Sequence, residues 1–143
     1  MQKDKLDIEF SEIDPDNFHL FVRIKIGPKK ARLLLDTGAS KTVFDQTRIL
    51  KFIKSNTLKD VEGNSVGLGS NHVETQITKI KSLSFGKIKL SNVEVASMNL
   101  NNVLETYTML KMEAIDGVLG SDLLYRLKAV IDYEKKVLKV KGK

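Results

Sequence analysis

Residues 33–40 read Leu33-Leu34-Leu35-Asp36-Thr37-Gly38-Ala39-Ser40. Three apolar residues lead straight into an Asp-Thr-Gly turn. Such a run suits a buried strand. A carboxylate at its end would sit in a low dielectric that disfavours the charged form. Thr37 brings a hydroxyl donor, and Gly38 allows close backbone approach. An acid with small hydrogen-bonding neighbours is equipped for acid–base chemistry on a carbonyl. The other acids are weaker candidates. Asp116 reads as structural, Asp122 as a helix cap or internal acceptor, and Asp132 as an outward strand residue. His19 and His72 stand far apart with no metal-ligand spacing, and the glycines form no phosphate-binding pattern. No metal or organic cofactor is expected.

The elements that must carry Asp36 are short strands. Phe18, Leu20, Val22, Ile24 and Ile26 alternate with Asn17, His19, Phe21, Arg23 and Lys25, a period-two strand with one buried face. Gly27-Pro28-Lys29-Lys30 turns the chain, and Ala31–Leu35 returns to deliver Asp36. Asp45 is placed to cap a short helix around Gln46–Leu50. Glycines and turn formers over residues 60–72 mark hairpin tips. Strands are expected at Val73–Ile80, Leu83–Phe85, Ile88–Leu90 and Val93–Ala96. Helical spacing from Val103 to Lys111, with Asn101 or Asn102 as cap, predicts one helix. Leu123, Leu124 and Leu127 predict another, capped by Ser121 or Asp122. Ala129–Tyr133 and Val137–Val140 read as a closing hairpin. Many strands with frequent turns and little helix indicate an all-β barrel or sandwich. Residues 1–16 are charged and carry Pro15, which suits an N-terminal arm or edge strand; residues 17–143 form a single domain.

Composition agrees. A length of 143 residues fits one domain, and 41% hydrophobic against 29% charged residues is a globular balance. The absence of cysteine excludes disulfides, a thiol nucleophile and thiolate metal sites. The amino terminus has no apolar signal core and no run is long enough to span a bilayer, so a cytoplasmic location and no membrane partner are expected. The net charge of +6 raises nucleic-acid binding as a reading. Lysines that recur singly, as in Lys79-Ile80-Lys81 and Lys87-Ile88-Lys89-Leu90, with no interleaved aromatics, fit a solvated outer surface instead. No nucleic acid is expected.

The Asp-Thr-Gly stretch resembles the active-site signature of aspartic proteases. Val118-Leu119-Gly120, followed by a predicted helix, resembles the hydrophobic-hydrophobic-Gly element that lies behind the catalytic turn in that family. The likeness spans roughly residues 17–140 and is to single-domain retropepsin-like forms of cellular and bacterial type. It implies a closed β-barrel with one or two short helices. With one Asp-Thr-Gly in the chain, it implies a homodimer in which Asp36 of each subunit meets at a two-fold axis. Thr37 and Gly38 would support the catalytic loop, and Thr37 would bond across the axis. Gly38, Ala39, Ser40 and Lys41 would line the substrate cleft. Ala39, where pepsin-like enzymes often carry a hydroxyl, implies a working pH closer to neutral. Gly67-Leu68-Gly69-Ser70 is the candidate flap, with the Gly63-Asn64 turn as runner-up. The implied substrate is a peptide or unfolded protein bound as a strand. A catalytically inactive dimerisation or peptide-binding module with the same fold is the alternative.

Overall fold

Apolar residues on alternate positions put most of the chain into strands. The computed structural model describes residues 1–53, 58–60 and 75–142. Strands β1 (Gln2–Asp7), β2 (Glu9–Asp14), β3 (Asn17–Ile26), β4 (Lys29–Leu35) and β5 (Val43–Asp45) precede a 3-10 turn at Arg48–Lys51. Then come β6 (Leu58–Asp60), β7 (Gln76–Phe85), β8 (Ile88–Met98), helix α1 (Asn101–Met109), β9 (Gly117–Leu119), helix α2 (Ser121–Arg126), β10 (Val130–Asp132) and β11 (Val137–Gly142).

The larger sheet runs β2-β3-β4-β9-β5-β8-β7-β6, and an added β3–β7 pairing joins Lys25 to Ser84 and Ile26 to Leu83. That contact closes β3, β4, β9, β5, β8 and β7 into a ring, so the all-β barrel implied by the sequence is present with two short helices. β1, β11 and β10 form a separate three-stranded sheet. One face of β3 (Leu20, Val22, Ile24, Ile26) and one face of β4 (Ala31, Leu33, Leu35) point into the barrel. Phe44, Ile80, Leu83, Phe85 and Val95 fill it from the other strands. Removing one fully buried leucine such as Leu33 costs about 2–5 kcal/mol, which makes this core the rigid frame for the turn that follows β4.

Several elements differ from expectation. The second face of β3 is covered locally: Tyr107 of helix α1 packs on His19 and Phe21, while Asn17, Arg23 and Lys25 on the same face stay exposed. Phe21, expected to point outward, is packed against Tyr107 at 5.5 Å and lies under the Arg32 guanidinium, whose Cζ is 3.8 Å from the ring centre. The four short strands expected after residue 72 are two long ones, β7 and β8, joined at Gly86-Lys87 with Phe85 opposite Ile88. Ser82 and Ser91, which fall in the gaps between the expected strands, pair with each other within the ladder. Of the two forms expected for residues 1–16, an arm or an edge strand, the segment takes the second: β1 and β2 lie at the edges of the two sheets, and Ile8 between them is buried in the barrel core. Their charges occupy outward positions of an alternating strand, which reads as a polar segment in the sequence.

The caps also shift. The 3-10 turn starts at Arg48 with Thr47 as N-cap, and Asp45, two residues before that cap, accepts the N–H groups of Thr47 and Arg48. At α1 the N-cap is Leu100, and the side chain of Asn99 takes the Asn101 N–H at 2.8 Å. At α2 the N-cap is Gly120, with no side-chain cap. Among the described residues no helix is long and apolar enough to cross a membrane.

Candidate active site

Strand β4 lies between β3 and β9, and runs parallel to β9 with Leu33, Leu34 and Leu35 opposite Gly117, Val118 and Leu119. The ladder continues for one bond past the strand end, where the Asp36 N–H donates to the Leu119 carbonyl at 3.1 Å. The chain then turns sharply. Ala39 N–H donates to the Asp36 carbonyl at 3.2 Å, and Gly38 N–H donates to Asp36 Oδ1 at 2.9 Å. A Cβ on residue 38 would stand 3.3 Å from that same oxygen, so a larger residue would crowd the carboxylate. Asp36 is therefore held from its backbone and from one carboxylate oxygen.

Asp36 is half-buried, not enclosed as the apolar approach suggested, because the turn emerges at the surface. Thr37, Gly38 and Ser40 are exposed, and Ala39 and Lys41 are half-buried. Val118, Leu119 and Gly120 stand directly behind this turn. Gly120 is required there: an added Cβ would lie 2.7–2.8 Å from the backbone of Lys41 and Ala39. Ser121 N–H donates to the Ala39 carbonyl at 2.7 Å.

One hydroxyl that sequence reasoning passed over ties these pieces together. Thr42 Oγ1 accepts the Gly120 N–H at 3.0 Å and donates to Asp122 Oδ1 at 2.8 Å, and the same carboxylate oxygen takes the Thr42 N–H at 2.9 Å. Thr42 is fully buried. Asp122 is thus an internal acceptor for the far end of the turn. A threonine two residues past the turn's serine was the available signal.

The remaining acids are engaged elsewhere. Asp116, 4% exposed, accepts the Arg32 N–H and pairs with Arg48 and Lys51 at 3.0 and 2.7 Å. This is the structural role read for it. Asp45 holds the 3-10 turn and the Leu100 N–H. Asp132 is partly covered; the Lys135 N–H, and then the Lys139 ammonium 3.6 Å away, hold its carboxyl below the usual range. A bidentate bond to Arg23, at 2.8 and 2.9 Å, keeps Glu113 low.

On the second face of the β3–β4 pair, His19 Nδ1 meets the Tyr107 hydroxyl at 2.8 Å. Burial raises the Tyr107 phenol above its ordinary value; the Arg32 charge opposes this and the Asp36 charge adds to it. His72, the candidate flap Gly67-Leu68-Gly69-Ser70 and the Gly63-Asn64 turn lie outside the described residues.

A family model for aspartyl proteases matches residues 22–123, which spans the Asp36 turn and the Val118-Leu119-Gly120 element together. The chain belongs to the aspartyl protease family. Solved aspartyl proteases share its fold. A retropepsin-like aspartic protease from Rickettsia conorii superposes with a TM-score of 0.61 at 18% identity, covering 97% of this chain and 89% of that one. The retroviral protease-like domain of Ddi1 from Leishmania major gives 0.64 at 16% identity, over 87% and 90%. The EIAV protease, solved with the inhibitor HBY-793, gives 0.53 at 18% identity, over 78% and 90%. No curated protein matches the chain. Its fold is that of a retropepsin-like aspartyl protease, with the Asp-Thr-Gly turn at an exposed end of the barrel.

Proposed function

We propose that this chain is an aspartic endopeptidase that works as a homodimer, with Asp36 of each subunit forming the catalytic pair. The observation that carries the reading is the Asp36 turn. It is pinned from behind through Leu119, Gly120 and Thr42, while Thr37, Gly38 and Ser40 remain exposed. A rigid acid on an open surface suits chemistry completed by a second copy.

Peptide hydrolysis through water needs a base and an acid at once. Two carboxyls held close together do not both ionise readily, so the pair shares a proton and titrates as a unit. The ionised Asp36 takes a proton from the attacking water, and its protonated twin donates one to the carbonyl oxygen. Collapse of the resulting diol breaks the C–N bond, with the proton passing to the leaving nitrogen. Gly38 N–H, on Asp36 Oδ1, fixes the carboxylate orientation for this exchange. Thr37 is the candidate cross-axis contact. Gly38, Ala39, Ser40 and Lys41 are the candidate cleft, and residues 67–70 the candidate flap over an extended peptide. No cofactor enters the scheme.

The test is cleavage of an unfolded protein or peptide mixture by the wild-type chain and by Asp36→Asn, followed by mass spectrometry. New termini are expected from the wild type only. Equal cleavage by both would remove Asp36 from the chemistry. Peptide binding without cleavage by either would leave a binding module.

A further inference from the structure

Six of the lysines that look scattered in the sequence are gathered by the fold around the three-stranded sheet. In the three-stranded sheet, the register sets Lys3 opposite Lys141 and Lys5 opposite Lys139. These are cross-strand pairs of like charge, an arrangement that destabilises a sheet. Asp4 and Leu6 lie on the alternate side of β1, with Asp4 turned to the Lys87 N–H. Two shallow depressions meet at Lys141. One adds Lys128 and the other adds Arg126 and Lys89. Six of these seven cations are exposed and Lys141 is half-buried. Only Lys139 has an acidic partner among the described residues, Asp132 at 3.6 Å. With Asp4, Asp7 and Asp132 set against them, the seven cations leave this region at +4, against +6 for the whole chain. The rest of the molecule carries the smaller share.

We propose that this face docks on an anionic membrane surface. Three observations select that occupant over other polyanions. The cations are six lysines and one arginine, and the compact lysine ammonium on a long stem suits a diffuse negative surface better than planar bidentate recognition of single phosphates. Val130 sits among them, paired in register with Lys139 and 50% exposed, and Tyr125, beside Arg126, is 88% exposed. An apolar centre ringed by lysine stems gains from contact with a lipid interface, where tyrosine also settles, while the ammonium groups reach the headgroups. Around Val130 the lining holds lysines but, among the described residues, neither an aromatic ring nor an arginine, the groups that single-strand or base recognition would use.

The experiment is co-sedimentation of the full chain with vesicles of phosphatidylcholine alone, and of phosphatidylcholine mixed with phosphatidylglycerol, over a salt series. Binding to the mixed vesicles only, weakening as salt rises, is expected. Lys3→Ala and Lys141→Ala should each weaken it about fivefold, and Val130→Asp should weaken it further. Melting curves report that each variant is folded, and cleavage of a short soluble peptide by Lys3→Ala should match the wild type. Equal binding to neutral vesicles, no binding to either, or binding untouched by these variants would overturn the proposal. So would retention on single- or double-stranded DNA with no retention on vesicles.

Discussion

Thr42 and Asp122 are joined twice through one oxygen: Asp122 Oδ1 accepts both the backbone N–H and the hydroxyl of Thr42, at 2.9 and 2.8 Å. The same hydroxyl then accepts the N–H of Gly120. This locks the exit of the Asp36 turn to the start of α2. Thr42→Val keeps the shape and removes the hydroxyl, so the Gly120 N–H loses its partner in a buried site. A loss of about 1–3 kcal/mol is expected, read as a lower urea midpoint with an unchanged slope. Proteolytic activity should fall by more than the unfolded fraction explains, because the turn loses its rear support.

Gly120 is fixed by crowding. Its missing Cβ would meet the backbone of Ala39 and Lys41, which cannot yield as a flexible side chain would. Gly120→Ala is expected to displace the Asp36 turn and to cost more than the Thr42 change. Gly38→Ala, where the added carbon meets only the Asp36 carboxylate at 3.3 Å, should keep more stability and still lose activity. Thermal melts alongside cleavage rates measure the contrast. A Gly120→Ala chain as stable as the wild type would contradict the packing described.

Much of this site was legible because local chemistry and global fold agree. The run Leu33-Leu34-Leu35 demands a buried strand, and β4 is buried on both faces. What the sequence concealed were long-range relations. Arg32 is 3% exposed because it lies over Phe21 and reaches Glu9 and the Glu113 carbonyl, and no local pattern announces a buried arginine. The gaps expected between the four short strands held Ser82 and Ser91, which find each other only once the hairpin forms. Residues 1–16 left open an arm or an edge strand because Lys3, Lys5 and Asp7 hide the alternation that brings Leu6 and Ile8 inward.

Tyr107 gives the chain a pH-dependent alkaline limit. Its folded pKa lies above the ordinary tyrosine value near 10. The stabilisation from a neutral buried phenol is therefore complete below about pH 10 and fades as the pH climbs through the folded value. Urea midpoints from pH 7 to 11 should fall at the alkaline end, and Tyr107→Phe should flatten that fall while losing the bond to His19. A midpoint as steep in pH for the variant as for the wild type would contradict this.

The lysine pairs on the terminal sheet predict that function and stability oppose each other there. Lys3→Glu converts a like-charge pair with Lys141 into an attractive one. It should raise stability by about 0.2–1 kcal/mol. The gain should shrink in high salt, because Lys3 is exposed and Lys141 only half-buried. Melting temperatures at low and high salt check it.

The pairing of two Asp36 carboxylates is tested most directly by mixing subunits. Wild-type chain is combined with rising proportions of Asp36→Asn at fixed total concentration, allowed to exchange, and assayed for peptide cleavage. If both carboxylates are required, activity follows the square of the wild-type fraction. Activity in linear proportion to the wild-type fraction would mean that each chain cuts alone, and the paired mechanism would be wrong.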